Sequence, residues 1–548
     1  MRSRIVAGLL LLTLLGCRSS SGSSGVALIP YLRLAGQDDV PTLDPARGYD
    51  TSSWQFEEML FNTLVDYDAR GRLIQELATD WEVSADQRAY TFHLRAGVRF
   101  TNGRPVSAAD VRYSIERVLD PRTGSQGAEF FRNIAGADAC ASGPCRVTGI
   151  ETPDAHTVRF HLRDFDPLFL HKLAMPFAAA VPSEEVARWG EDFARHPVGS
   201  GPFMLKEWVP GQHLLLVRNP HYFVAGVPRL AGVLRLVGVN DDLAWLKYAS
   251  GQLDVSSIPP AEFPRVIRDP RYQPLLRHVT TMRTSYLGMN CRMAPFNDRR
   301  VRQAMNVAID KHKLLRLINN RGVVAKGFLP PNMPGYNPRV PGYPFDPARA
   351  RQLLAAAGYP NGFTTTLWVR SDATALRLAQ AVQQDLAEVK VRCRIKAIAW
   401  GPFLQAVRTP DLVPFFSLGW EADFPDPSNF LEVLLHSKYI GSNNNTNYHN
   451  PVVDDLLDTA ARTVDPQTRL QLLRRAELVA VADAPWVFLY HPVSYVIVHP
   501  RVRDFQLHPL RPARFERVWL AGTARQPHAV EGVTVPASPA AAPAGPAS

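Results

Sequence analysis

The 548-residue chain lacks the signatures of most enzymes and metal proteins. It has no G-x-S-x-G turn, no H-E-x-x-H helix, no G-x-G-x-x-G loop and no P-loop lysine. The motifs of serine hydrolases, zinc peptidases, dinucleotide enzymes and nucleotide hydrolases are therefore missing. Only five cysteines occur, and no second Cys or His pair stands at zinc-ligand spacing from Cys140 and Cys145. The 61 Lys and Arg outnumber the 51 Asp and Glu, giving +10, but they form no basic run. A nucleic-acid partner is not expected from such spread charge. Beyond the N-terminus no apolar run is long enough to cross a bilayer. Neither a metal nor a cofactor is expected, and catalysis has no nucleophile to rest on.

What is present describes a globular protein. Apolar residues make up 46% and charged residues 20%. The length exceeds one hydrophobic core and predicts two or three lobes. Met1–Arg4 is basic, Ile5–Leu15 is apolar and too short to span a membrane, and Leu14-Leu15-Gly16-Cys17 follows. This resembles a bacterial lipoprotein signal, which implies lipidation of Cys17 after removal of residues 1–16. Residues 17–26, rich in Ser and Gly, read as a flexible tether. Arg18 follows Cys17 where an aspartate often specifies inner-membrane retention, which leaves the outer membrane open. In such an oxidising compartment Cys140 and Cys145, flanking A-S-G-P, are expected to form a local disulfide. The sequence leaves open whether Cys291 and Cys393 pair. Residues 526–548, rich in Ala and Pro, read as a disordered tail.

Strands and helices alternate irregularly, as in α/β lobes. Tyr90, Phe92 and Leu94 alternate with polar residues, which predicts a strand. Ser107 with Asp110 opens a helix that stops at Asp120-Pro121. Asp346-Pro347 and Asp465-Pro466 open two more. Asp310–Lys313 reads as the polar end of a helix, and His491 and His499 as structural histidines. The stretch Val413–Leu431 organises the rest. It reads as a buried strand to Leu418, a break at Gly419, then a loop carrying Trp420, Glu421, Asp423 and Asp426, stiffened by Pro425 and Pro427. A carboxylate beside apolar surface there suits an ammonium group.

Several stretches then point to a family. They are Thr42–Pro45, Leu77–Trp81, Tyr90–Phe100, Asn102–Val111 (N-G-R-P-V-S-A-A-D-V), Pro197–Phe203 (P-V-G-S-G-P-F), Asn219–Tyr222, Pro295–Ala304, Gly419–Phe430 and Asp483–Pro485. In this order they resemble solute-binding protein family 5, the oligopeptide- and dipeptide-binding lipoproteins of peptide/nickel-type ABC importers. The resemblance implies a periplasmic-binding-protein-like class II fold, a bilobal clam with an extra inserted domain. Domain I would be 27–61 with 193–280 and 500–525, domain II 62–192, and domain III 281–499. Two strands crossing between domains I and III, one including Leu287–Asn290, would form the hinge.

The resemblance also implies a site. Asp423 would hold a peptide's α-ammonium, and Trp420 and Trp400 would line side-chain pockets. The backbones of Gly419–Glu421 and Tyr49–Thr51 would pair with the peptide as strands. Glu421 is an additional carboxylate, which favours cationic ligands or faces solvent. No arginine can be assigned to the peptide C-terminus. The expected protein is a monomeric receptor in the periplasm or on the cell surface, anchored through Cys17, that captures a peptide and delivers it to an ABC importer permease. A nickel chelate, haem or another small solute is the alternative cargo. A surface peptidase or a sensor is the alternative class.

Overall fold

The computed structural model describes residues 31–522, apart from 69–70, 142–144 and 511–513. The expected signal peptide, the tether, Cys17 and the tail at 526–548 lie outside the described residues. Three larger sheets organise the chain. The first runs Tyr31–Ala35, Gly232–Leu236, His213–Arg218 and Phe203–Val209, with its first pair parallel. The second runs Ala78–Val83, Ala89–Leu94, Thr157–His161 and Ile150–Asp154, all antiparallel. The predicted alternation is realised: Tyr90, Phe92 and Leu94 point into the core of the middle lobe. The adjoining helix Ala108–Leu119 starts at a capping box of Ser107 and Asp110.

The third sheet has eight strands. Its main path is Val255–Ser257, Trp486–Val498, Arg283–Met289, Phe415–Glu421, Thr364–Arg370 and Arg392–Ile398. Both faces are covered, so neighbouring residues both go inside. Tyr286 and Phe416 enter one core and Leu287 and Phe415 the other. Trp486 stacks flat on Tyr286 at 3.4 Å between centroids.

Trp486–Val498 is one 13-residue strand, where the sequence pattern predicts two shorter ones. The strand survives His491-Pro492 because different partners take up its successive parts. Arg283–Met289 pairs with its start, Gly322–Val324 with Tyr490–Pro492, and Leu276–Thr280 with Val493–Ile497. It therefore runs from the third sheet towards the first lobe. The second crossing lies at Thr280–Arg283, where the Thr281 amide donates to the Pro492 carbonyl at 3.0 Å. Leu287–Met289, expected at the hinge, instead pairs inside the third sheet.

Asp310–Lys313 also differs from expectation. Asp310 caps the start of a separate helix, Lys311–Leu317, and the Lys311 ammonium is buried against the carbonyls of Asn306 and Tyr343. Burial lowers its pKa to about 7. His491 is buried as a structural residue, and burial lowers its pKa to about 4. Cys140 and Cys145 are disulfide-bonded, while Cys291 and Cys393 are free thiols.

One buried carboxylate ties three distant passages of the first lobe together. Asp254 is fully buried and accepts from Arg33 Nη2 at 2.9 Å and from Arg501 Nε at 2.6 Å. Burial alone pushes its pKa up. The bonds from Arg33 and Arg501 outweigh that and hold it below the ordinary value. Asp254→Asn leaves two guanidinium groups without their counter-ion, and removing one side of a buried pair costs about 3–5 kcal/mol. Urea unfolding of the variant should show that loss. An unchanged midpoint would contradict the role given to Asp254.

Candidate functional site

The strand Phe415–Glu421 delivers the site. It does not break at Gly419. Ladder partners in Arg283–Met289 continue through Ser285↔Gly419, Thr284↔Trp420 and Arg283↔Glu421. A Cβ at 419 would stand 3.0 Å from the Arg283 guanidinium, which would have to shift by a few tenths of an ångström to admit it. On its other edge the strand pairs with Thr364–Arg370 only at Phe415 and Phe416. From Ser417 onward that edge meets no further strand among the described residues.

The turn that follows holds Asp423 with neutral donors. Asn429 Nδ2 donates to Asp423 Oδ2 at 3.0 Å, and the Tyr49 hydroxyl donates to Oδ1 at 3.2 Å. Asn429 Oδ1 accepts from the Asp423 amide and from Trp420 Nε1, each at 3.1 Å. Asn429 thus fixes the carboxylate, its backbone and the indole together. Among the described residues no Lys, Arg or His pairs with Asp423. Burial raises its pKa, the bonds from Asn429 and Tyr49 partly offset this, and Glu421 adds to the rise. Tyr49 is raised as well, by burial and by the charge of Asp423.

Asp423, Trp420 and Tyr49 all line one cavity of about 560 Å³, in the size range of small-ligand sites. Three elements place them: the end of the strand, the Pro-stiffened turn, and the loop before helix Thr51–Leu60. Tyr49 is held against Trp54 and Phe177, with centroids 5.6 and 5.4 Å away.

A family profile described as bacterial extracellular solute-binding proteins, family 5, matches residues 72–442. The chain belongs to that family. It is 31% identical over 485 residues to the haem-binding protein A of Haemophilus influenzae, covering 84% of this chain and 86% of that one. It is 27% identical over 519 residues to di/tripeptide-binding protein 1 of Pseudomonas aeruginosa, covering 89% and 95%. Among solved structures, the periplasmic binding protein DppA of Helicobacter pylori in complex with the peptide STSA matches with a TM-score of 0.75 and 28% identity, over 89% of this chain and 98% of that one. The architecture is therefore the bilobal class II clam of family 5 with its extra domain.

Within this family 5 protein the expected site residues divide. Asp423, Trp420 and Tyr49 come together. Gly419 lies one residue back in the strand, and Glu421 is exposed at its end. Trp400 stands apart: it opens helix Trp400–Arg408, is 47% exposed, stacks on Phe403 and lies under the Arg370 guanidinium. It does not line the cavity, because the preceding strand is the sheet edge and releases it outward. Thr51 is the first residue of a helix capped by Asp50, so its backbone cannot extend a peptide strand. Asp426 is structural. It accepts both Arg469 Nη groups at 2.8 Å and the Ser428 amide and hydroxyl at 2.9 and 2.6 Å. Burial raises its pKa, but Arg469 holds it below the usual range.

Sequence reasoning missed Asn429 and Phe424. An aromatic between two aspartates in a Pro-rich turn is a signal for Phe424. Asn429 carries none. Asn429→Ala removes one donor to Asp423 and strands two others, at a cost of about 1–3 kcal/mol. It should also move the Asp423 pKa further up, readable as a later carboxyl-carbon titration by NMR. A downward shift would contradict the assignment.

Proposed function

We propose that this chain is an extracytoplasmic receptor that captures a peptide through its free amino terminus, closes on it, and passes it to the permease of an ABC importer. The observation that carries this reading is Asp423. A carboxylate raised by burial and held only by neutral donors is stabilised by an incoming cation. The α-ammonium of a peptide supplies one. The open edge from Ser417 to Glu421 offers backbone groups to an extended chain, which reads no side chain. Relatives named for di/tripeptide binding and for a peptide complex support the same reading.

The role is capture without catalysis, by a monomer. We take the lobes as 27–61 with 193–280 and 500–525, then 62–192, then 281–499. Lipid anchoring through Cys17 completes the proposal and places the protein in the periplasm or on the cell surface. A haem-type cargo is the competing reading, raised by the name of the Haemophilus relative. The Asp423 environment favours an amine over an anionic porphyrin.

Asp423→Ala should weaken binding of a free tripeptide by roughly 2–5 kcal/mol in calorimetry, as for a charged partner left unpaired. N-acetylation of the peptide should cost the wild type a similar amount. Equal affinity for free and acetylated peptide would reject the ammonium role.

The pH dependence has a definite sign. The peptide ammonium stays charged in acid, so binding is lost only as Asp423 takes up a proton. Its raised pKa places that loss above the ordinary 3.8. Below the free-state pKa the affinity should fall by about one decade per pH unit. A flat profile down to the ordinary carboxylate range would contradict the raised pKa.

A further inference from the structure

The cavity is built mainly by two lobes. Eight of its 24 lining residues lie in 126–172, fifteen in 420–473, and only Tyr49 comes from the first lobe. The middle lobe is thus a wall of the site and not a bystander. Phe424 shows how the wall is held. It neighbours Asp423 in the chain, yet it is 3% exposed within the core of the middle lobe, stacked on His171 at 6.0 Å. The residue next to the ammonium-binding carboxylate therefore pins the middle lobe against the third.

The wall itself is stiff. Asp166 Oδ1 accepts the Leu168 amide at 2.9 Å and Oδ2 accepts Lys172 Nζ at 2.6 Å. This fixes the turn that presents Phe165 and Leu168, both half-buried, to the cavity. Val433 and Leu457 line the side belonging to the third lobe. The lining carries Glu129, Asp166, Asp423 and Glu432 against Lys172 and Arg469. Arg132 pairs with Glu129, Lys172 with Asp166 and Lys438 with Glu432, so of the four carboxylates Asp423 alone has no cation among the described residues. Both lining cations are already engaged, Lys172 with Asp166 and Arg469 with Asp426. Among the described lining residues, no cation is left to meet an acidic side chain.

We propose that residues 126–172 form a third jaw of the ligand site, whose wall around Phe165 and Leu168 selects peptides with large apolar side chains and rejects acidic ones. The inference rests on the peptide reading of Asp423 and goes beyond it by naming the side-chain class and the lobe that reads it. The physical basis is burial of side-chain surface against an apolar wall, where an acidic side chain would lose its water and find no free cation in the lining.

The test uses the mature chain, stripped of ligand by unfolding and refolding, in calorimetry with trialanine, trileucine and triglutamate. The wild type should prefer trileucine to trialanine by about tenfold or more, as expected for several added methylenes in an apolar pocket, and triglutamate should not bind detectably. The double variant Phe165→Ala/Leu168→Ala should bring the trileucine-to-trialanine ratio to within about twofold, its folding checked by thermal melting. A variant that keeps the wild-type ratio overturns the proposal, as does triglutamate binding as tightly as trileucine. If none of the three peptides binds the wild type, the peptide reading fails and the third jaw falls with it.

Discussion

Asp423 is a carboxylate without a cation, and the site is arranged around that deficit. Several buried carboxylates elsewhere in the chain are matched, Asp254 by Arg33 and Arg501, Asp426 by Arg469 and Asp44 by Arg117, while Glu57 and Glu477 form no ion pair among the described residues. Asp423 has only an amide and a phenol. Neutral donors hold the oxygens in place without neutralising them, and in the proposed function the ligand brings the missing charge. Three of the residues involved lie within ten positions of one another, Trp420, Asp423 and Asn429. The fourth, Tyr49, comes from the first lobe, which makes the pocket sensitive to how the lobes approach.

That approach depends on few connections. The long strand Trp486–Val498 and the passage through Thr280–Arg283 join the third sheet to the first lobe. A pair of crossing strands permits rotation with little loss of packing, as in hinge closure. The neighbours Asp423 and Phe424 then take different tasks. Asp423 is the group we propose for the ligand, and Phe424 enters the middle lobe beside His171. Both residues stand in a single turn that Pro425 and Pro427 keep stiff.

Much of the fold was legible because local chemistry marked it. Capping residues placed the helices after Ser107, Asp346 and Asp465, and period-2 patterning placed the strand at Tyr90–Leu94. Cys140 and Cys145 were readable from their short spacing. What failed depended on distant partners. Gly419 reads as a breaker, but its ladder partner Ser285 lies far away in sequence. Trp486–Tyr490 and Tyr495–Val498 read as two strands, yet three separate strands pair along a single continuous one. Trp400 carries the aromatic character of a pocket residue, and only its place at the start of a helix after the edge strand Arg392–Ile398 shows that it stands apart from the cavity. The contribution of the middle lobe to the cavity left no local mark, since Phe165 and Leu168 look like ordinary core positions.

The most direct test of the central claim is native mass spectrometry of the mature protein purified from its own host, with identification of whatever is released on denaturation. The account predicts small molecules with a free primary amine, chiefly short peptides poor in aspartate and glutamate. A single bound solute without an amine, such as a porphyrin, would leave the fold and its hinge intact and contradict the role given to Asp423.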